Sequence, residues 1–151
     1  TSERVERYFQ RCLFYGVWPG FFDQDAASKD PYWASTKRWY DRDRALFKKY
    51  IPLFQRITAA GWHPITLATC DNAQLWLERY GAFGQGAGYF TVFNNTAQPQ
   101  EGVITFSDTS KTVSAKRPAK ELFSDATLEQ QGSGWKIRLE PQSVALLEWS
   151  P

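Results

Sequence analysis

The spacing of apolar residues changes once along this chain, near Gly61, and that change separates what the two stretches can fold into. Before it, apolar side chains recur every three or four positions. Val5, Tyr8, Phe9, Cys12 and Leu13 fall at i, i+3, i+4, i+7 and i+8, one stripe of an α-helix over Glu3–Leu13, with Ser2 placed to cap it and Gly16 to stop it. Leu46, Phe47, Tyr50, Ile51, Phe54 and Ile57 form a second stripe that starts at Asp41 or Asp43 and ends at Gly61. Pro52 inside it removes a backbone donor, which predicts a kink or a break. From Tyr15 to Tyr40 no period persists, and Pro, Gly and Asp punctuate an aromatic-rich segment that reads as an ordered long loop.

After Gly61 the period is two. Strands are predicted at 65–70, 74–80, 88–94, 102–106, 112–115, 120–123, 127–131, 135–139 and 143–149, separated by turn residues such as Asp71-Asn72, Asn94-Asn95 and Gly132-Ser133-Gly134. An antiparallel sheet has to bury one face against something, so the fold class expected is mainly β: an antiparallel β-sandwich over residues 63–151, preceded over residues 1–62 by two amphipathic helices. The last strand is the most informative. Val144, Leu146 and Glu148 alternate with Ala145, Leu147 and Trp149, both sets largely apolar, which predicts a central strand covered on both sides. One side should meet the second sheet and the other the helices, through Leu147 or Trp149.

Composition narrows the function classes. Eighteen basic and sixteen acidic residues are interleaved for a formal charge of +2, so no electrostatic case exists for nucleic acid or a membrane surface as partner. The longest apolar runs are a handful of residues, far below the roughly 20 that span a bilayer. Cys12 and Cys70 lack the spacing of metal or redox sites, so both read as small buried apolar residues, with one disulfide open to them if the chain is exported. No metal site and no cofactor are implied. With no Met anywhere in it, the chain reads as a processed or excised product.

The order of the pieces is similar to something known. The run DRDRALFKKYIPLFQRITAAGWHPITLA, followed by LWLERYG, GYFTVFNN and KIRLEPQSVALLEW, resembles the tail of many glycoside hydrolases. In those enzymes a (β/α)8 barrel ends in its last helix and the chain passes into a C-terminal β-sandwich, whose last strand commonly has the form L-x-P-x-x-V-A-L-L-E, found here from Leu139 to Glu148. The resemblance implies that residues 1–62 correspond to the last barrel unit. A whole barrel needs about 250 residues, more than the stretch before residue 63 can supply, so the implied function is that of a part: a sandwich supporting a catalytic barrel and not catalytic alone. The alternatives are a non-catalytic carbohydrate-binding module and a structural or assembly domain. Expected partners are carbohydrate, and the missing barrel portion or a second copy through the helical face.

Glycoside hydrolysis needs two carboxylates across the scissile bond. Asp23, Asp25 and Asp30 are the acids in the aromatic loop; Asp23 and Asp25 are the catalytic candidates, although Asp beside Pro and Gly also serves as a turn residue. Sugars present apolar C–H faces that stack on indole rings, which makes Trp18 and Trp33, flanked by Pro and turn residues, the substrate-binding candidates. The other loop aromatics read as packing, as do Trp76, Phe90, Phe93, Trp135 and Trp149 on period-two strands. His63, the sole histidine, lies at the helix-to-strand junction without a G-x-S-x-G serine and reads as a packed junction residue. GAFGQGAG opens no helix and is a hairpin loop, and Asn94-Asn95-Thr96, formally a glycosylation acceptor, is first a turn.

Overall fold

The computed structural model describes residues 1–21, 38–82, 86–106 and 118–149. Two helices, α1 (Ser2–Tyr15) and α2 (Arg38–Ala60), precede ten strands: β1 (Trp62–His63), β2 (Ala68–Cys70), β3 (Leu75–Tyr80), β4 (Gly88–Asn94), β5 (Gln100–Phe106), β6 (Ala119–Glu121), β7 (Ala126–Thr127), β8 (Gln130–Gln131), β9 (Gly134–Leu139) and β10 (Val144–Trp149). A central sheet runs β1-β3-β4-β10-β6-β7 and an outer sheet β2-β5-β9-β8, with every pairing antiparallel. The helices cover the free face of the central sheet, so the molecule has three layers.

Burial follows strand parity. Phe90, Val92, Ala145, Leu147 and Trp149 face the outer sheet and pack with Ile104, Trp135 and Ile137. Tyr89, Phe93, Val144 and Leu146 face the helices and pack with Phe9, Leu13, Phe14, Tyr50 and Phe54. All seven residues of β4 are buried, which is why GYFTVFN carries no polar alternation. The two-sided burial expected of the last strand is present, with its sides exchanged: Val144 and Leu146 meet the helices, while Leu147 and Trp149 lie between the sheets. Glu148, on the helix side, reaches Arg56 of α2 at 2.9 Å. Gly88 stands opposite Trp149, and a Cβ there would overlap the indole, which instead stacks on Phe90 at 4.6 Å.

The end of α1 is fastened to the sheet. Gly16, at φ 65°, donates to the carbonyl of Leu13, and Val17 donates to that of Cys12, a Schellman closure. The carbonyl of Phe14 is left over, and two hydroxyls from the central sheet take it: Tyr80 at 2.7 Å and Thr91 at 2.8 Å. A Cβ on Gly16 would come within 2.7 Å of the Tyr80 ring, so glycine is required there by space as well as by φ.

Several boundaries differ from those the pattern predicts, each for a local reason. α2 starts three residues before Asp41, where Arg42 lies over Trp39 and Arg44 over Tyr40, side-chain pairs of the first turns. It runs as one helix through Pro52. The strand expected over 127–131 is two: β7 pairs with β6 in the central sheet and β8 with β9 in the outer one, the chain crossing between them with Leu128 turned into the inter-sheet core. Trp76, expected in the core, is 43% exposed. Cys12 is buried and Cys70 half-buried, both as free thiols. The 112–115 strand lies outside the described residues.

Both faces of β10 should matter equally. Leu146→Ala and Leu147→Ala should each cost about 2–5 kcal/mol in denaturant titration, since each leaves a cavity in a different core; a cost below about 1 kcal/mol for either would mean that one layer does not dock. At the α1 end, Tyr80→Phe and Thr91→Val should each cost about 0.5–1.5 kcal/mol, because the other hydroxyl still satisfies the Phe14 carbonyl. The double variant leaves it bare and should cost more than the sum of the two. Strict additivity would mean the shared carbonyl is not the link between them.

Candidate functional site

Of the side chains singled out by sequence for sugar chemistry, Trp18 alone lies within the described residues; Asp23, Asp25, Asp30 and Trp33 lie outside them. Trp18 follows the Schellman turn. One face of its indole stacks on Phe54 of α2 at 5.4 Å and 27°, while the side chain remains 46% exposed. It therefore both packs and presents a ring surface. Phe21 is half-buried against Phe9 of α1 and Phe47 of α2, at 5.8 and 5.3 Å.

Trp18 belongs to a larger apolar surface. Among the described residues, the large apolar side chains left exposed are Tyr8, Tyr15, Val17 and Trp18 on α1 and its exit, and Trp62, Ile65 and Trp76 on the β1–β3 edge. The two groups adjoin. Phe14 packs against Trp76 at 6.4 Å and against Tyr15 at 4.8 Å, and Gly16 lies on Tyr80. Trp62 donates from Nε1 to Glu78, two residues along β3 from Trp76, at 2.8 Å. The backbone of Gly20 is held through its N–H and its carbonyl by the Tyr8 hydroxyl, at 3.0 and 3.1 Å, which ties the exit segment back onto α1.

His63 sits on β1 opposite Arg79, half-buried, with Nδ1 enclosed and making no hydrogen bond; among the described residues no serine is hydrogen-bonded to it. Asn94 is fully buried, its amide nitrogen on the carbonyls of Gln98, Glu140 and Leu139 at 2.8 to 3.2 Å and its oxygen on Thr96. That side chain closes the β4–β5 turn and is not presented for a glycan. Among the described residues no three His, Cys, Asp or Glu side chains converge to hold a metal, and no described helix is long and apolar enough to cross a membrane.

A cleft of about 410 Å³ lies where α1 and α2 meet the β6–β7 region and the β9–β10 turn. Tyr50, Ile137, Leu139, Val144 and Ala145 form its buried floor. At its helical rim, Glu6 accepts from Lys49 at 2.7 Å and from the Tyr50 hydroxyl at 3.0 Å. Partial burial disfavours the Glu6 carboxylate, but these two donors outweigh it and hold its pKa below the ordinary value. Burial, with the Glu6 charge, drives the Tyr50 phenol upward, so it stays protonated and donating.

No protein-family model matches the sequence, and none of the curated proteins does. The fold does have counterparts. An α-amylase from Geobacillus thermoleovorans, solved with acarbose, is 13% identical, with a TM-score of 0.61 over 96% of this chain and 33% of its own. α-Galactosidase I from Mortierella vinacea is 12% identical, at 0.57 over 99% and 36%. A GH27 β-L-arabinopyranosidase from Geobacillus stearothermophilus is 14% identical, at 0.52 over 100% and 31%. The chain spans about a third of the length of the structures it matches. Helix pair and both sheets together, it has the fold of a part of these glycoside hydrolases, and its resemblance to the C-terminal portion of such an enzyme is a likeness of fold.

Proposed function

We propose that the chain is the C-terminal portion of a glycoside hydrolase, in which residues 1–62 form the end of the catalytic barrel and residues 63–151 a β-sandwich that supports it. The observation that carries this reading is the one-sided distribution of exposed aromatic and aliphatic side chains. Tyr15, Val17, Trp18, Trp62 and Trp76 are 43–59% exposed on one adjoining surface, more apolar display than a self-sufficient monomer of this size has reason to keep. The exit from α1 is tied to both helices, Gly20 to Tyr8 and Trp18 to Phe54, and on this reading it belongs to a barrel strand that the rest of the enzyme would flank. Trp18 and the other rings are then seam residues first. On this reading Asp23, Asp25 and Trp33 belong to a loop at the barrel's sugar-facing end, and they need the remainder of the enzyme to act.

A non-catalytic carbohydrate-binding module is the second reading. Trp18 supports it, with one indole face stacked on Phe54 and almost half of the side chain exposed.

Purified alone, the chain should turn over no chromogenic glycoside above background. It should also self-associate in sedimentation and bind a hydrophobic dye, and the Trp18→Ser, Trp62→Ser double variant should lose the dye while keeping its circular dichroism. A clean monomer that leaves the dye unbound would overturn the seam, and turnover abolished by Asp23→Asn or Asp25→Asn would overturn the dependent role.

A further inference from the structure

The cleft at the junction of the three layers coincides with a place where the ladder of the central sheet stops short. β6 pairs with β10 from Ala119 opposite Trp149 to Glu121 opposite Leu147, and Leu122 adds a last bond, donating to the carbonyl of Leu146 at 2.9 Å. The next rung would join Ser124 to Val144. The chain turns instead: the Glu121 carboxylate accepts from the N–H groups of Phe123 and Ser124, at 3.0 and 2.7 Å, and from the Ser124 hydroxyl at 2.6 Å. On its other side β10 is bonded to β4, and just before the strand Asn94 donates to the carbonyl of Ser143 at 3.0 Å. Backbone groups of an antiparallel strand alternate between its two neighbours, so those of Ser143, Ala145 and Leu147 face β4, while the N–H and carbonyl of Val144 point to the side that β6 has left. Among the described residues neither has a ladder partner, although Val144 itself is buried.

The cleft reaches this edge from both faces of the sheet. On the helix face its walls are Tyr50 and Phe123, whose rings meet edge-on at 5.4 Å. On the inter-sheet face they are Leu128, Ile137, Leu139 and Ala145. A backbone donor and acceptor facing apolar walls gain from pairing, and in a ladder the two groups of one residue are answered by the carbonyl and N–H of one residue opposite. That geometry selects a peptide backbone. Walls on both faces then ask for side chains that alternate, as those of an extended chain do. The outer sheet stops short in a similar way, its last β8–β9 bond running from Lys136 to the carbonyl of Glu129 at 2.8 Å, which leaves the backbone of Arg138 beyond it. There the Arg138 side chain is 61% exposed, so that edge has solvent on one face and suits an apolar strand less.

We propose that the cleft is a strand-addition site for an extended apolar segment of another polypeptide, which lies antiparallel to β10, forms the rung at Val144 and sends its side chains alternately toward Tyr50 and Phe123 and toward Leu128, Ile137 and Leu139. A volume of about 410 Å³, in the range of small-ligand sites, limits the inserted part to a few residues. A second copy of this chain suits the site poorly, because the strands that carry two apolar faces, β4 and β10, are buried in its own cores. The site is independent of the glycoside hydrolase reading.

The test is a titration of the ¹⁵N-labelled chain with the peptide acetyl-Lys-Val-Ile-Val-Lys-amide, followed by amide chemical shifts and hydrogen exchange. In the free chain the Val144 amide should exchange faster than those of Ala145 and Leu147, which are bonded to β4. With the peptide, saturable shifts are expected at Ser124 and Val144, and Val144 exchange should slow about tenfold or more while Arg138 keeps its rate. Only alternate N–H groups of the peptide can face β10. N-methylation of the Ile and of a flanking Val should therefore differ, one weakening binding about tenfold and the other much less. Ala126, exposed and opposite Glu121 in the β6–β7 register, lines the cleft, and Ala126→Trp should fill it and abolish saturable binding. No saturable shift at Val144, equal losses from the two N-methylations, undiminished binding to Ala126→Trp, or a Val144 amide already as protected as Ala145 in the free chain would each overturn the site. Shifts confined to Trp18 and Trp62 would place the peptide on the seam and overturn it too. Val144 protection that rises with the concentration of the chain alone would make the occupant a second copy and overturn the assignment to another polypeptide.

Discussion

Everything in this molecule depends on a sheet that is apolar on both faces. A sheet with one dry face needs one partner layer; one with two needs a partner on each side, and neither the helices nor the outer sheet could stay in place if the central sheet were ordinary. Leu146 and Leu147, adjacent in sequence and both fully buried, belong to different cores. Several polar groups on the helix side of this sheet fasten the helices to it. Tyr80 and Thr91 converge on one carbonyl at the end of α1, and Glu148 meets α2 through Arg56. The docking is therefore directional as well as hydrophobic, and it fixes where the exit of α1, with Trp18, is presented.

The elements were legible where a single period ran unbroken. β4 matches its predicted bounds because seven consecutive residues have the same need for burial, and α1 stops at the predicted glycine, Gly16, which can take a left-handed φ, although the helix begins at Ser2, the residue expected to cap it, and runs on to Tyr15. What the pattern could not supply was orientation. Alternation along residues 143–149 says that two faces exist, but which of them meets the helices is decided by the register of β10 on β4, and so the faces came out exchanged. Residues 127–131 read as one strand because Thr, Leu and Gln suit either sheet. Only the pull of Leu128 into the inter-sheet core divides them.

The functional surfaces were less legible for a related reason. Trp76 sits on a strand with the right parity for burial, but it lies toward the edge where the helices stop covering the sheet, and a period of two carries no information about edges. The apolar surface joins residues from the first twenty positions to others near positions 62 and 76. The cleft is more scattered still, drawing on both helices and three strand regions.

The position of β10 also bears on how such a fold can be made. It is the last strand in sequence, yet in the sheet it stands between β4 and β6, bonded to both. During synthesis the helices and β3–β4 leave the ribosome early and must wait, with Phe93 and Phe90 facing water on opposite sides, until residues 144–149 arrive to be inserted. Assembly is thus non-local and late, the kind that proceeds slowly and leaves strand edges open in the interval. The final strand acts as a keystone: until it is in place neither core is closed, and afterwards both close together.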